Sequence, residues 1–508
     1  MGNSGKVYII GAGPGDPGLI TIRGINCLRY ADVVVYDHLA SEELLRYASP
    51  QARLIYVGKK GGEHTLPQEE INRLLLKKAR QGHVVARLKG GDPFIFGRGG
   101  EEAEVLAYAG IPFEIVPGVT SGVSVPAYAG IPLTHRGYAS TVAFVTGHED
   151  PAKEQSDVDW RNLAGIGTLV FLMGIKNLSK ITKSLIQHGK DAETPSALVR
   201  WGTTADQATI TGSLKDIAKK AQKNQFAPPA ILVVGQVVKL REKLNWFESK
   251  PLFGKGVVVT RPEAQADGFA ELLRKEGARV IYFPTIEITP PASWKTLDRA
   301  IKNLESYAWL VFTSANGVRF FFRRLKEQNR DLRDLKGIRI CAIGPATAET
   351  IGGMGIRVDL VPASFISEGV VEAFKNVDIK GCRVLLPRAS KARDVIPEGL
   401  IQLGAKVDVV TAYRTRGSGR NKKELETFLK EGKVHVITFT SPSTVANFME
   451  IMGKGFLLPE KVKIACIGPV TAAAVHKAGL PVDILQENYT IPGLVDALAG
   501  YFAQKATS

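Results

Sequence analysis

Val7-Tyr8-Ile9-Ile10-Gly11-Ala12-Gly13-Pro14-Gly15-Asp16-Pro17-Gly18 is the stretch that decides the fold class. Its first four residues read as a short strand and the next eight as a turn-rich loop. Ile20 to Tyr30 then predicts a helix, and Val33 to Tyr36 the next strand. Strand, loop, helix and strand in succession is the α/β rhythm. The loop invites a dinucleotide-binding reading and fails it, because Asp16 stands where the third glycine belongs. Pro14 and Pro17 also lack the N–H groups that a pyrophosphate would take. Two readings remain for it: a tight turn, or a backbone surface that an uncharged or cationic ligand approaches closely.

Outward from there the rhythm continues: strand Leu54–Val57, helix Pro67–Gln81, strand Val84–Leu88 and helix Glu101–Ala109. Two more glycine-rich loops follow, Gly90-Gly91-Asp92-Pro93-Phe94-Ile95-Phe96-Gly97-Arg98-Gly99-Gly100 and Pro117-Gly118-Val119-Thr120-Ser121-Gly122. Three such loops at successive strand ends suggest one ligand site at the carboxyl ends of a sheet. A second α/β segment runs from Ser140 to about Leu240, with strands at 142–146, 168–172 and 230–235. Residues 246–256 read as a linker between an N-terminal domain, 1–245, and a C-terminal one, 257–508.

The C-terminal half repeats itself. Phe312-Thr313-Ser314 recurs as Phe439-Thr440-Ser441, and Ile343-Gly344-Pro345-Ala346-Thr347-Ala348 as Ile467-Gly468-Pro469-Val470-Thr471-Ala472. A single repeat of this length is a whole lobe rather than a solenoid unit. Two like lobes make a cleft.

The 508 residues carry a formal charge of +16, which suits an anionic partner or, equally, a solvated basic surface. No dense Lys/Arg block or aromatic-interleaved basic stretch points to nucleic acid. No apolar run approaches the ~18 residues of a membrane span, and no signal peptide is expected at the start. Cys27, Cys341, Cys382 and Cys466 are far apart, which argues against a zinc site or a disulfide framework and fits a reducing cytoplasm.

Gly11 to Gly18, Gly90 to Glu101, Pro117 to Ser124 and Gly130-Ile131-Pro132-Leu133-Thr134-His135-Arg136 together resemble the uroporphyrinogen-III C-methyltransferases. Val35-Tyr36-Asp37 and Tyr56-Val57-Gly58-Lys59-Lys60-Gly61 favour that branch over other tetrapyrrole methyltransferases. The resemblance covers about residues 5–245. It implies a two-lobed, homodimeric enzyme with S-adenosylmethionine in a cleft, yielding S-adenosylhomocysteine. It places cofactor contacts on Pro14, Gly90, Gly91, Asp92, Ile95, Thr120, Ser121, Met173 and Gly202. It makes Asp37 the proton acceptor and Lys59 the proton donor. Taken alone each has a plainer reading: Asp37 a helix cap, Lys59 a solvated charge, Met173 core. Uroporphyrinogen carries eight carboxylates, so Arg87, Lys89, Arg98 and Arg136 are candidates to meet them at the cleft mouth. A structural role stays open for two of these four.

Residues 255–505 are similar to uroporphyrinogen-III synthases, through Val259-Thr260-Arg261-Pro262, the repeated Thr-Ser and Gly-Pro-x-Thr segments, and Ala412-Tyr413-Arg414-Thr415. This implies two flavodoxin-like α/β lobes, 257–288 plus 414–505 and 289–412, joined by a strand pair. It also implies cyclisation of hydroxymethylbilane, with Tyr413 as the family-matched phenol beside the departing hydroxyl. Thr313, Ser314, Asn316, Thr440, Ser441, Ser443 and Thr471 would bind propionates and acetates at helix N-termini. Helix capping by the same hydroxyls competes with that reading, and both can hold at one terminus. The expected whole is a bifunctional enzyme of the sirohaem or cobalamin route that needs no metal and stops at the dimethylated product, precorrin-2. The rivals are methyl transfer to a later corrinoid or to RNA, with a C-terminal half that only binds small molecules.

Overall fold

The computed structural model describes residues 5–58, 66–148, 157–419, 421–453 and 455–507. The chain forms two compact units. One comprises 1–256 with 272–279 and 498–508, the other 257–271 with 280–497.

The first unit contains two five-stranded sheets. Strands β1 (Val7–Gly11), β2 (Val33–Tyr36), β3 (Arg53–Tyr56), β4 (Val85–Lys89) and β5 (Phe113–Val116) take the order β3-β2-β4-β1-β5, all parallel. Their residues alternate between two cores. Val7, Ile9, Val33 and Val35 enter one, and Ile10, Val34, Ala86 and Leu88 the other. Burial on both faces is what lets these strands read as continuous apolar runs. Helices α1 (Ile22–Tyr30), α2 (Gln68–Arg80), α3 (Gly99–Tyr108) and α4 (Ser121–Tyr128) follow four of the strands. In α2, Ile71, Leu75 and Ala79 lie four residues apart and are buried as one stripe. Glu69 and Glu70 open it and Lys77, Lys78 and Arg80 close it, each sign at the favourable end of the helix dipole.

The second sheet of this unit is mixed. Its strands are β6 (Val142–Thr146), β7 (Thr168–Leu172), β8 (Pro195–Arg200), β9 (Ala208–Ser213) and β10 (Ala230–Val234), in the order β6-β7-β10-β8-β9. Segment 246–256, expected as a linker, is packed. Phe247 and Leu252 are buried, and Trp246 Nε1 donates to the Ala127 carbonyl at 3.0 Å. Its apolar side chains leave it little reason to be solvated.

The second unit holds the two expected lobes. Strands β11 (Gly256–Val259) and β12 (Arg279–Tyr282) belong to one sheet. The chain then makes β13 (Ile286–Thr289), β14 (Trp309–Phe312), β15 (Arg339–Ala342), β16 (Arg383–Ala389) and β17 (Lys406–Gly417), ordered β13-β17-β16-β14-β15. It returns with β18 (Val436–Phe439), β19 (Lys463–Cys466) and β20 (Ile484–Leu485), completing β12-β11-β18-β19-β20. The strand pair between the lobes is β13 against the end of β17, antiparallel from Ile286↔Gly417 to Thr289↔Arg414. Through this pairing β13 joins the sheet β13-β17-β16-β14-β15, so the expected lobe boundaries at 288/289 and 412/414 fall inside strands.

Candidate active sites

β4, β1 and β5 are neighbours in the first sheet, so the three glycine-rich loops leave its carboxyl edge side by side. They interlock through backbone. Ala12 N donates to the Lys89 carbonyl at 2.7 Å, and Gly91 N to the Gly13 carbonyl at 2.7 Å. A Cβ on Gly11 would stand 2.5 Å from Gly118 Cα, so two backbones meet where only glycine fits. The Asp92 carboxylate ties the rest together. Oδ2 accepts from Gly118 N at 3.0 Å, and Oδ1 from Phe94 N at 2.8 Å.

Facing these loops is a cavity of about 890 Å³. Pro14, Gly90, Gly91, Asp92, Ile95, Thr120, Ser121, Met173 and Gly202 all line it, and so does Asp37. Lys59 lies outside the described residues. At Gly91, where φ is +68°, a Cβ would meet only Ser121 N at 3.7 Å and Thr120 Cα at 3.9 Å. Its missing side chain keeps that part of the cavity open. Met173 and Trp201, which line the cavity, are non-glycine residues in the left-handed region, at φ +57° and +48°, and so is the buried Thr203 next in sequence to the lining residue Gly202, at +69°. Such strain persists where surroundings enforce it and collects at functional sites. Here Thr203 is gripped on both sides. Its N–H donates to Gln207 Oε1 at 2.8 Å and its Oγ1 accepts from Asp16 N at 3.1 Å. Tyr128 donates to Asp16 Oδ2 at 2.7 Å, and burial, reinforced by that carboxylate, pushes its phenol well up.

The candidate cations do not form the expected open set at a cleft mouth. Arg87 and Lys89 are almost wholly buried, because β4 is central and covered on both faces. Both spend charge on Glu102, from Arg87 Nε at 3.1 Å and Lys89 Nζ at 2.8 Å. Arg87 Nη2 also donates to Asp37 Oδ2 at 3.0 Å. Burial and the Arg87 charge lower the Lys89 ammonium below the ordinary lysine value, against the pull of Glu102. Arg98 lines the cavity, exposed and bidentate to Glu101 at 2.8 Å on each arm. Arg136 sits in the exposed turn closed by the His135–Ala139 backbone pair and does not line the cavity. The sequence reading passed over His38 and Trp201, which line the cavity and pack edge-to-face at 6.0 Å. It also passed over Glu102. Arg87 and Lys89 stand two apart on one strand, hence on one face, and two buried cations there call for a carboxylate.

In the second unit, Tyr413 on β17 is 8% exposed and its ring stacks on Phe320 at 5.8 Å. Its hydroxyl lies 3.0 Å from Ser314 Oγ, which also accepts from Gly317 N at 3.0 Å and so caps the helix Ala315–Glu327. Burial pushes the Tyr413 phenol up, partly offset by Ser314. Thr313 and Asn316 flank that cap, half-buried. In the other lobe Ser441 caps the helix Pro442–Met452 through a reciprocal pair with Thr444. Its Oγ is 3.0 Å from that of Ser443, and Thr440 beside it is half-buried. Thr471 is 3% exposed, packed into the first turn of the helix Pro469–Lys477 and not presented at a loop surface. Among the described residues no cluster could hold a metal ion, and no helix is long and apolar enough to cross a membrane.

Residues 6–218 match the family model of tetrapyrrole (corrin/porphyrin) methylases, and 267–496 that of uroporphyrinogen-III synthase. A porphyrin biosynthesis protein HemD of Ruminiclostridium josui is 40% identical over 501 residues, 97% of each chain. A uroporphyrinogen-III C-methyltransferase of Bacillus subtilis (strain 168) is 52% identical over 247 residues, 48% of this chain and 96% of that one. The crystal structure of a uroporphyrin-III C-methyltransferase from Thermus thermophilus, complexed with S-adenosylhomocysteine, covers 46% of this chain and all of that one, with 43% identity and a TM-score of 0.41.

Proposed function

The chain belongs to the family of porphyrin-biosynthesis proteins that join a tetrapyrrole methylase to a uroporphyrinogen-III synthase, and from that premise we propose how its residues divide the work. It is a bifunctional enzyme, an S-adenosylmethionine-dependent uroporphyrinogen-III C-methyltransferase fused to a uroporphyrinogen-III synthase. We assign methyl transfer to 1–245 and cyclisation to 257–508, with 246–256 between them.

The observation that carries the methyltransferase reading is the convergence of Asp37 and all nine expected cofactor positions on one cavity. The residues fit the group. A glycine-lined floor admits a bulky nucleoside, and the cavity at Gly91 is one that a Cβ would fill. S-adenosylmethionine supplies a methyl already activated by its sulfonium. The protein's contribution is orientation, worth ~7–11 kcal/mol in favourable cases, and management of protons on the macrocycle. Asp37, held by Arg87, takes the proton that the macrocycle gives up elsewhere once its electron-rich pyrrole carbon has bonded the methyl and the sulfonium has left as a neutral thioether. Lys59 is the proposed donor. Arg98 and Arg136 are the exposed cations proposed to meet substrate carboxylates; Arg87 and Lys89 act from within the wall.

In the synthase, the Tyr413 phenol hydrogen-bonds the departing hydroxyl of hydroxymethylbilane, with Ser314 fixing its direction. The azafulvene cation left behind is stabilised by the substrate's own pyrroles, so a weak acid suffices. Thr313, Asn316, Thr440, Ser441 and Ser443 offer hydroxyls and amides to the acetates and propionates. We further propose a cytoplasmic homodimer whose partners are polycarboxylate tetrapyrroles rather than nucleic acid.

The test is a coupled reaction of the purified protein with hydroxymethylbilane and methyl-labelled S-adenosylmethionine. Two labelled methyls on a type-III ring are expected. A labelled type-I ring would remove the synthase assignment, and an unlabelled type-III ring the methyltransferase one.

A further inference from the structure

Glu102 of α3 is 1% exposed, and it does not line the cavity. Its Oε1 nonetheless accepts from three side chains that do: Gln68 Nε2 at 3.0 Å, Arg87 Nε at 3.1 Å and Lys89 Nζ at 2.8 Å. Its Oε2 is buried and has no hydrogen-bond partner among the described residues. A carboxylate so placed is a cost to folding, and nothing in the packing of α3 asks for one. The other buried side chains of that helix are apolar, Ala103 and Leu106. What Glu102 does supply is a fixed anchor for one edge of Arg87. All three guanidinium nitrogens then have a fixed partner. Nε meets Glu102, Nη1 the Leu88 carbonyl at 3.1 Å, and Nη2 the Asp37 carboxylate.

We propose that Glu102 is a positioning residue for methyl transfer. From behind the cavity wall it fixes Arg87, and through Arg87 the Asp37 carboxylate, while holding the Lys89 ammonium on the same face of β4. The inference deepens the reading of Asp37 as proton acceptor and rests on it. The cluster is balanced, with Asp37 and Glu102 against Arg87 and Lys89. Glu101, paired with Arg98, is the further carboxylate that feels Lys89. Lys59 lies outside the described residues. Burial and Arg87 pull the Lys89 ammonium down while Glu102 and Asp37 hold it up. Losing the Glu102 charge therefore lets Lys89 deprotonate at lower pH.

The experiment uses the full chain carrying Glu102→Gln. Methyl transfer is measured with supplied uroporphyrinogen III, and cyclisation of hydroxymethylbilane on the same sample reports that the rest of the chain is intact. The expected result is a kcat for methyl transfer at least tenfold lower, an S-adenosylmethionine Kd within twofold of wild type, and unchanged cyclisation. The alkaline limb of the methyl-transfer profile moves to lower pH. Glu102→Asp keeps the charge with a shorter reach, so it restores the alkaline limb even where kcat stays reduced. Wild-type kcat and pH profile in Glu102→Gln would overturn the proposal. So would a loss of S-adenosylmethionine affinity in step with kcat, which marks a packing role, or an alkaline limb displaced alike in both variants. Should Glu102→Gln not fold, the Glu102→Asp limb alone decides. Asp37→Asn with wild-type methyl transfer would remove the premise instead, and is recognised separately from either Glu102 result.

Discussion

Gly91 and Tyr413 are the two positions where a single atom carries the most consequence. An L-residue in the left-handed region costs about 1–2 kcal/mol, and at Gly91 a methyl would also project toward Ser121 and Thr120. Gly91→Ala is expected to destabilise the first unit by about 1–2 kcal/mol and to weaken S-adenosylmethionine binding at least tenfold, measured by titration calorimetry. Cyclisation stays unchanged. An unaltered Kd would place the ligand elsewhere. Tyr413→Phe removes the hydroxyl and leaves the ring stacked on Phe320. The lost hydrogen bond is worth about 1 kcal/mol of stability, whereas a positioned acid contributes roughly 10²–10⁴ in rate. The variant should therefore fold, methylate supplied uroporphyrinogen III normally, and yield mostly the type-I ring from hydroxymethylbilane. Because burial pushes the Tyr413 phenol above its usual value, it keeps its proton past about pH 10, where a free tyrosine is half ionised. Cyclisation should accordingly show no alkaline loss below that pH. Such a loss in wild type that Tyr413→Phe abolishes would contradict the environment described for this residue.

Helix starts are where the two readings of the synthase hydroxyls separate. Ser441 caps the helix Pro442–Met452, while Ser443 is exposed and caps nothing. Ser441→Ala should cost about 1 kcal/mol through the lost cap, and Ser441→Thr much less. Binding of carboxylates predicts that Ser441→Ala and Ser443→Ala both raise KM for hydroxymethylbilane several-fold, with only the first lowering the melting temperature. If KM is unmoved in both, the Ser441 hydroxyl serves the helix alone and neither serine binds a carboxylate. Elements of this kind were legible in the sequence because they answer to local rules. The three glycine loops appear where backbones meet, as at Gly11 and Gly118, and the apolar stripe of α2 repeats every four residues. β8 and β9 were not read, because β9 is a polar edge strand, Ala208-Thr209-Ile210-Thr211-Gly212-Ser213, whose pairing with β8 is decided across the sheet. The Glu102 network was missed for a related reason. Its partners stand on different elements, 13 to 34 residues apart, and only the packing of α2 and α3 against β4 brings them together.

At the scale of the whole chain the question is whether two activities in one polypeptide amount to two cooperative units of folding. The residues divide into two compact sets, and every residue lining the methyltransferase cavity belongs to the first. Tyr413 and the seven candidate carboxylate ligands all belong to the second. A ligand that binds only the folded first unit should stabilise that unit by RT ln(1 + [L]/Kd), about 2.7 kcal/mol at a hundredfold excess over Kd. Differential scanning calorimetry with S-adenosylhomocysteine at that excess is therefore expected to raise one of two transitions and leave the other in place. The division is not clean along the chain, however. Residues 272–279 and 498–508 group with the first unit although their sequence neighbours do not. Unfolding of the first unit must release both segments. They are the last turn of the helix Glu263–Lys275 with the turn after it and β12's first residue, and the end of the last helix. A single transition that shifts as a whole with S-adenosylhomocysteine would mean that those segments couple the units into one cooperative block. In that case the synthase activity of the intact chain should itself survive higher temperatures when S-adenosylhomocysteine is present.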